Sequence, residues 1–304
     1  MTATENASSS VKLWDTRALV EANDLSPSAP RTALILLNSP LPPQPLFAKL
    51  WETATLRFCA DGGANRLYDR FVSGTENSDA ARHGDADDWL PDLILGDLDS
   101  LRQDVRAYYE SKGVTVDRDP DEFSTDLGKN VARLNAIESG KLPPPPPPPR
   151  MRPPAALADP DRERRRAPVG GQQYHVVLIG GLSGRLDQTI HTLHAMTLLA
   201  EKERRDRVWA IGRESAAILL AKGTHELHLD LGLFGKTCGI LPVGVSEAHV
   251  TTTGLEWDLG PTAYMYPTSL SSAVSTSNHL IQEKVRIETD APVVWTMEVR
   301  GGAE

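Results

Sequence analysis

The sequence predicts the α/β fold class, with a mostly parallel sheet carrying helices on both faces and an all-β sandwich following it. Three observations predict this. From residue 33 to residue 220, apolar runs of strand length alternate with stretches whose apolar residues recur at helical spacing, and that alternation belongs to a parallel sheet covered on both sides. After about residue 221 the grammar changes to short alternating segments punctuated by Gly232, Gly235, Gly239, Pro242, Gly244 and Gly254. The chain has 304 residues, 40% hydrophobic and 24% charged, which suffices for two packed domains.

Taken in order, residues 1–30 are rich in Ser, Thr, Ala and Pro and read as a flexible tail. The first buried strand is Ala-Leu-Ile-Leu-Leu at 33–37. A second strand at 56–60 runs into Asp61-Gly62-Gly63-Ala64-Asn65 and then a helix through Leu67, Tyr68 and Phe71, a βα unit. Residues 73–88 are polar and Asp-rich and read as a surface loop. A strand at 93–95, a helix from about 101 to 112 and a short strand at 114–116 follow. Beyond the acidic stretch 117–126, Leu127, Val131, Leu134 and Ile137 mark a helix that Ser124 or Thr125 can cap. Residues 141–172, with prolines 143–149 and an Arg-rich end, read as a disordered insert. A proline run stays extended and the segment lacks apolar content to offset its ordering entropy. A strand at 174–179 opens into Gly180-Gly181-Leu182-Ser183-Gly184-Arg185-Leu186-Asp187-Gln188 and a helix, and 208–211 adds a further strand. The domains are thus 31–220, α/β, and 221–304, a β sandwich closed by the strand 293–299.

A net charge of −9 argues against a general grip on nucleic acid; six Arg between 150 and 166, set against Asp159, Asp161 and Glu163, leave the insert only mildly basic. No apolar run approaches a membrane span and no signal-peptide pattern opens the chain, so a cytoplasmic location is expected. Cys59 and Cys238 lie in apolar, strand-like surroundings and suit buried thiols better than a disulfide or a zinc site.

The chemistry-bearing residues gather at strand ends. The strand at 93–95 breaks at Gly96 and delivers Asp97 and Asp99, spaced i and i+2; in an extended segment both would face one crevice, where a hard cation such as Mg²⁺ would neutralise them. A polar turn that starts a helix accounts for the same residues. The junctions 61–65, 96–100 and 180–188 all reach one sheet edge, and together they suggest a polyphosphate site. There Gly63, Gly181 and Gly184 admit backbone N–H groups to phosphate oxygens and Arg185 offers a charged fork. No Walker A sequence and no Gly-x-Gly-x-x-Gly follows the early strands, which disfavours a P-loop or dinucleotide fingerprint. His191 and His194 share a helical face without a third ligand at metal-site spacing, and His225 and His228 fall on opposite faces of a strand.

Asp-Gly-Gly-Ala-Asn at 61–65, Gly-Asp-Leu-Asp-Ser at 96–100, Ser-Thr-Asp at 124–126 and Gly-Gly-Leu-Ser-Gly-Arg-Leu-Asp-Gln at 180–188 resemble, in order, the motifs of the thiamine pyrophosphokinase family. Thr251 to Trp257 and Ser275-Thr276-Ser277-Asn278 resemble its thiamine-binding segments, so the likeness covers most of 33–299. The resemblance implies a Rossmann-like catalytic domain, a homodimer with the vitamin pocket at the subunit interface, and transfer of the pyrophosphoryl group of ATP to the thiamine hydroxyl, leaving AMP. It implies Mg²⁺ on Asp97, Asp99 and Asp121, with Asp61, Asp126, Arg185 and Asp187 also catalytic. By the same resemblance Gly62, Gly63, Asn65, Ser124, Thr125, Gly181, Gly184, Arg185 and Gln188 hold the nucleotide, Trp257 stacks on the aminopyrimidine, and Ser275, Thr276, Ser277 and Asn278 bind its edge. One position departs. Where the family commonly reads Asp-Gln-Asp-x-Thr-Asp, residues 121–126 read Asp-Glu-Phe-Ser-Thr-Asp, so Phe123 replaces the middle carboxylate, for which Asp121, Glu122, Asp126 or water could substitute. Two competing readings are an aspartyl-phosphate phosphatase, with Asp97 as nucleophile and Asp99 as acid/base, and a non-catalytic nucleotide or thiamine sensor.

Overall fold

The computed structural model describes residues 11–21, 31–75, 85–148, 173–205, 207–260 and 275–301. Most of the expected tail (1–10, 22–30), part of the polar loop (76–84) and most of the insert (149–172) therefore lie outside the described residues. The chain begins with β1 (Lys12–Asp15) and α1 (Arg17–Val20). The α/β region then runs β2 (Thr32–Leu36), α2 (Gln44–Thr53), β3 (Leu56–Ala60), α3 (Gly63–Tyr68), β4 (Leu93–Gly96), α4 (Gln103–Ser111) and β5 (Thr115–Arg118). It continues with α5 (Asp126–Glu138), β6 (His175–Ile179), α6 (Leu186–Glu201) and β7 (Val208–Ile211). The rest is strand: β8 (Ser215–Leu220), β9 (Gly223–His228), β10 (Phe234–Leu241), β11 (Val250–Thr253), β12 (Ser275–His279), β13 (Lys284–Thr289) and β14 (Val293–Val299).

One ten-stranded sheet carries the molecule, in the order β12-β10-β14-β8-β7-β6-β2-β3-β4-β5. From β7 to β5 every pairing is parallel, and from β7 through β8, β14 and β10 to β12 every pairing is antiparallel. The α/β and all-β regions thus share a backbone ladder. A second sheet, β1-β9-β13-β11, faces the antiparallel half and completes the sandwich.

The period of two in a strand sorts the core into two layers. Leu34, Leu36, Cys59, Ile94, Val177, Ile179, Trp209 and Ile211 pack with α2, α3, α4 and the second sheet. Their neighbours Ala33, Ile35, Phe58, Leu93, Leu95, Val176, Leu178 and Ala210 pack with α5 and α6. Helices therefore cover both faces of the parallel half, as the alternation of elements predicts, and both cysteines are buried free thiols.

The structure corrects the reading of residues 1–30 as a flexible tail. β1 pairs in parallel with β9, and Trp14 is 1% exposed, donating from its indole to His225 Nδ1 at 3.0 Å and lying edge-on to Trp209. It also corrects the loop at 73–88, whose end forms a short 3₁₀ turn, Ala86–Trp89, capped by Asp85. Trp89 is buried there against Phe71 and Phe47. No helix of the described residues is long and apolar enough to cross a membrane.

Candidate active site

The chain lays β2, β3, β4 and β5 down in one direction across the sheet, then returns to the other side of β2 with β6 and β7. The order reverses between β2 and β6, and beyond the carboxyl ends of such strands an open sheet leaves a crevice. A cleft of about 800 Å³ occupies that position, lined from the loops after β2, β3, β4, β5 and β6.

Its floor is a carboxylate cluster. Oxygens of Asp61, Asp97 and Asp126 lie within 4.8 Å of one another. Asp61 follows β3 in the left-handed region, φ 43°, which Asp tolerates better than most residues. It is fixed by Ser100 N–H and Leu101 N–H, which donate to its two oxygens at 3.0 and 3.1 Å. Asp126 opens α5 and accepts the Asp97 N–H at 3.3 Å. Gly96 makes the convergence possible: a Cβ there would stand 2.6 Å from Asp61 Cβ and 2.9 Å from an Asp126 oxygen. Burial first, then the neighbouring carboxylates, raises the pKa of both Asp61 and Asp126. A divalent cation with oxygen preference fits this set, since it would relieve the repulsion that raises those values.

Lys129, which the sequence reading passed over, completes the cluster. Its side chain is 1% exposed, with Nζ 3.4 Å from Asp126 and 3.8 Å from Asp97. A buried ammonium is costly unless paired, and here it offsets part of the clustered negative charge. The signal was present: Lys129 stands one helical turn after Asp126 on the face that packs on the sheet.

The expected pairing of Asp97 with Asp99 is corrected. Leu98 takes φ 66°, so the chain leaves its extended path and the i, i+2 geometry is lost. Asp99 is exposed, accepts from Ser100 Oγ, and its N–H caps Asp97. Asp121 is likewise outside the cluster: its oxygens accept from Phe123 N–H and Ser124 Oγ, which hold its pKa below the ordinary value. Phe123 is fully exposed, and the three-carboxylate cluster forms without position 123.

Of the residues expected at the nucleotide, Gly62, Ser124, Thr125, Gly181, Gly184, Arg185 and Gln188 line the cleft, as does Asp187. Arg185 and Asp187 pair at 3.1 Å on the rim, and this lowers the Asp187 pKa. Gly181 needs its lack of a side chain twice over, with φ 75° and a Cβ position 2.4 Å from Thr192 Oγ1. Gly63 and Asn65 are not lining residues. Gly63 lets α3 press on β2, its Cβ position lying 2.3 Å from the Leu36 carbonyl. Asn65 bridges backbone, donating to Ser100 O and accepting from Arg102 N–H.

Residues that sequence reasoning missed also line the cleft: Asn38 and Ser39 after β2, Arg66 on α3, and Ser183. The hydroxyls of Ser39 and Ser183 and Nε2 of His191 are shielded from solvent and have no hydrogen-bond partner among the described residues. Polar atoms left so in a cleft wall keep hydrogen-bonding capacity for a ligand or water. The end of β2 was a findable signal, because it is one side of the strand-order reversal.

Trp257, Ser275, Thr276, Ser277 and Asn278 lie on the sandwich, and none lines the cleft. Trp257 keeps 37% of its surface exposed. Asn278 is buried at 3% and its amide is occupied by Trp257: Oδ1 accepts the Trp257 N–H and Nδ2 donates to its carbonyl. In this arrangement the Asn278 side chain holds the Trp257 backbone rather than standing free at the surface. Ser277 takes φ 56° and is exposed.

Comparison with known proteins covers both regions. Residues 47–208 match the thiamin pyrophosphokinase catalytic domain, and residues 224–294 match the thiamin pyrophosphokinase vitamin B1 binding domain. Thiamine pyrophosphokinase 1 of Arabidopsis thaliana is 32% identical over 285 residues, covering 91% of this chain and 90% of that protein. Thiamine pyrophosphokinase 1 of rice (Oryza sativa subsp. japonica) is 31% identical over 275 residues, covering 88% and 87%. The crystal structure of yeast thiamin pyrophosphokinase superposes with a TM-score of 0.70 at 25% identity, over 98% of this chain and 94% of that one. With both domain matches following in order along a single chain, and relatives matched over most of their length, this chain belongs to the thiamin pyrophosphokinase family.

Proposed function

We propose that this protein transfers the pyrophosphoryl group of ATP to the hydroxyl of thiamine, giving thiamine diphosphate and AMP. The observation that carries the reading is the cluster of Asp61, Asp97 and Asp126 at the floor of a cleft edged by Arg66 and Arg185. In the transfer, the thiamine hydroxyl gives its proton to water as its oxygen bonds to the β-phosphorus, the bond from that phosphorus to the oxygen bridging to the α-phosphate breaks, and AMP departs with that oxygen. Such a displacement relies on alignment and charge neutralisation more than on covalent chemistry.

Asp61, Asp97 and Asp126 would hold Mg²⁺, which when bound neutralises phosphate charge. The chain's own residues do the rest. Arg185 and Arg66 give fixed cationic donors for phosphate oxygens, and the hydroxyls of Ser39 and Ser183 supply neutral ones. The 180–184 loop brings backbone close without side-chain bulk, and Asp61 keeps the loop after β4 in register through Ser100 and Leu101.

Trp257, held by Asn278, is the surface for the aminopyrimidine ring, with Ser275, Thr276 and Ser277 near its edge. Because these residues do not line the cleft of their own chain, a homodimer in which one copy's sandwich meets the other's cleft is part of the proposal. The phosphatase reading loses its footing once Asp99 turns away from Asp97.

Purified protein incubated with ATP, thiamine and Mg²⁺ is expected to form thiamine diphosphate and AMP in equal amounts, with none formed in excess EDTA. Chromatography that finds no thiamine diphosphate under the metal-replete condition would remove the reading.

A further inference from the structure

Lys129 stands behind the carboxylate cluster rather than in the cleft. Its side chain is 1% exposed and does not line the cleft, while the side chains of Asp97 and Asp126 remain 34% and 32% exposed. The ammonium therefore meets the cluster from the protein side, and a ligand meets it from the cleft. We propose that Lys129 is the built-in counter-ion of this cluster, a positioning residue that holds Asp97 and Asp126 together when no metal is bound and weakens the grip of the nucleotide-free cleft on a free divalent cation. The inference rests on the pyrophosphokinase reading, in which the cluster is the Mg²⁺ site, and adds how that site behaves before substrate arrives.

The hydrogen bonds show where a resident cation is needed. Asp61 is held without it, since the N–H groups of Ser100 and Leu101 each donate to one of its oxygens. Asp97 accepts the Asp99 N–H on Oδ1 at 3.1 Å and has Oδ2 3.8 Å from the ammonium. Asp126 accepts the Asp97 N–H at 3.3 Å and Lys129 Nζ at 3.4 Å on the same oxygen, Oδ1. The lysine thus bridges the two carboxylates that have less backbone support. Its place is fixed by α5: it follows Asp126 by one turn on the buried side, and the next residue, Asn130, ties the helix to the end of β4 by donating to the Leu95 carbonyl at 3.0 Å. Fully ionised, three carboxylates and one ammonium carry a net charge of −2, which a single divalent cation balances. The same fixed charge repels any cation that enters the cluster, and burial leaves little solvent to screen it. A polyphosphate adds negative charge from the cleft side, where the ammonium does not reach. The cation is then retained while the polyphosphate is present and released once it leaves.

Lys129→Met removes the charge and keeps the length of the stem, and Lys129→Arg keeps the charge. Full-length wild type and both variants are titrated with Mn²⁺ in the absence of nucleotide, free Mn²⁺ being counted by electron paramagnetic resonance, and each is melted in EDTA and at saturating Mn²⁺. Lys129→Met is expected to bind Mn²⁺ about tenfold or more tightly than wild type, and Lys129→Arg to stay within about threefold of wild type. In EDTA, Lys129→Met is expected to melt several degrees below wild type, and saturating Mn²⁺ is expected to close that gap because the metal takes over as counter-ion. A lysine needed only for packing would lower the melt equally in both conditions. Equal or weaker Mn²⁺ binding by Lys129→Met, the same gain in Lys129→Arg, a deficit that Mn²⁺ leaves unchanged, or a Lys129→Met protein that stays unfolded at saturating Mn²⁺ would overturn the counter-ion. Tighter Mn²⁺ binding by Lys129→Met beside a wild type that makes no thiamine diphosphate keeps the counter-ion and removes the activity; wild-type turnover with equal Mn²⁺ affinities does the reverse.

Discussion

At the scale of single residues, the site depends on where each carboxylate's hydrogen bonds go. That Asp61, Asp97, Asp126, Arg185, Asp187 and Gln188 line one cleft was legible because strand ends in an α/β sheet converge. Asp121, Asn65 and Asn278 are placed otherwise than spacing suggests for a common reason. Each has a backbone group from elsewhere in the loop or sheet within reach, and that partner is invisible until the turn is built. Leu98 shows how little it takes: one residue in the left-handed region separates two aspartates that spacing alone would pair. The raised pKa of Asp126 has a measurable sign. A carboxyl whose folded pKa lies above its ordinary value binds a proton more readily when folded, so stability falls as pH rises through the folded value. Asp126→Asn removes that penalty and can keep the oxygen that accepts from Asp97 N–H. In EDTA its melting temperature is expected to exceed wild type at neutral pH, with the difference closing below the ordinary value of 3.8. Thermal melts across pH in EDTA check this, and a variant less stable than wild type at neutral pH would contradict it.

At the scale of elements, periodicity carried the reading where it was long and failed where it was short or interrupted. α5 and the buried strands announce themselves; α2 does not, because Pro40, Pro42, Pro43 and Pro45 suggest a loop. Proline is tolerated in a first helical turn, where the missing N–H has no helical partner to lose, and α2 then buries Phe47 and Trp51. The N-terminus of α5 shows the opposite case, local chemistry read correctly. Thr125 has extended backbone and its hydroxyl accepts the Gly128 N–H at 3.2 Å. Thr125→Ala is expected to cost about 1 kcal/mol in a denaturant titration, as other lost N-caps do. A cost near zero would mean the cap adds nothing beyond the packing of Leu127 and Val131.

At the scale of the whole molecule, the fold class was legible and the join between its halves was not. The change of pattern near residue 221 suggested two separate cores, whereas β8 and β14 continue the parallel sheet edge to edge through β7. A pattern of alternation reveals which face of a strand is buried but not which strand lies beside it. The surface carries a further sign of assembly. Leu186 and Ile190, one turn apart beside the cleft, are 74% and 55% exposed, and on the sandwich Ile281 is 66% exposed. Apolar groups beside two incomplete binding surfaces favour a second copy as their cover. Light scattering is expected to give twice the chain mass of 33.1 kDa, and a single-chain mass at micromolar concentration would count against the dimer.

The pairing of β1 with β9 also bears on how the chain is made. Trp14 meets His225 across 211 residues of sequence, so β1 has no partner on the sandwich until those residues have followed it. The parallel strands can assemble around their own helices during that interval. The clasp of β1 onto the sandwich therefore cannot close before β9 has been translated.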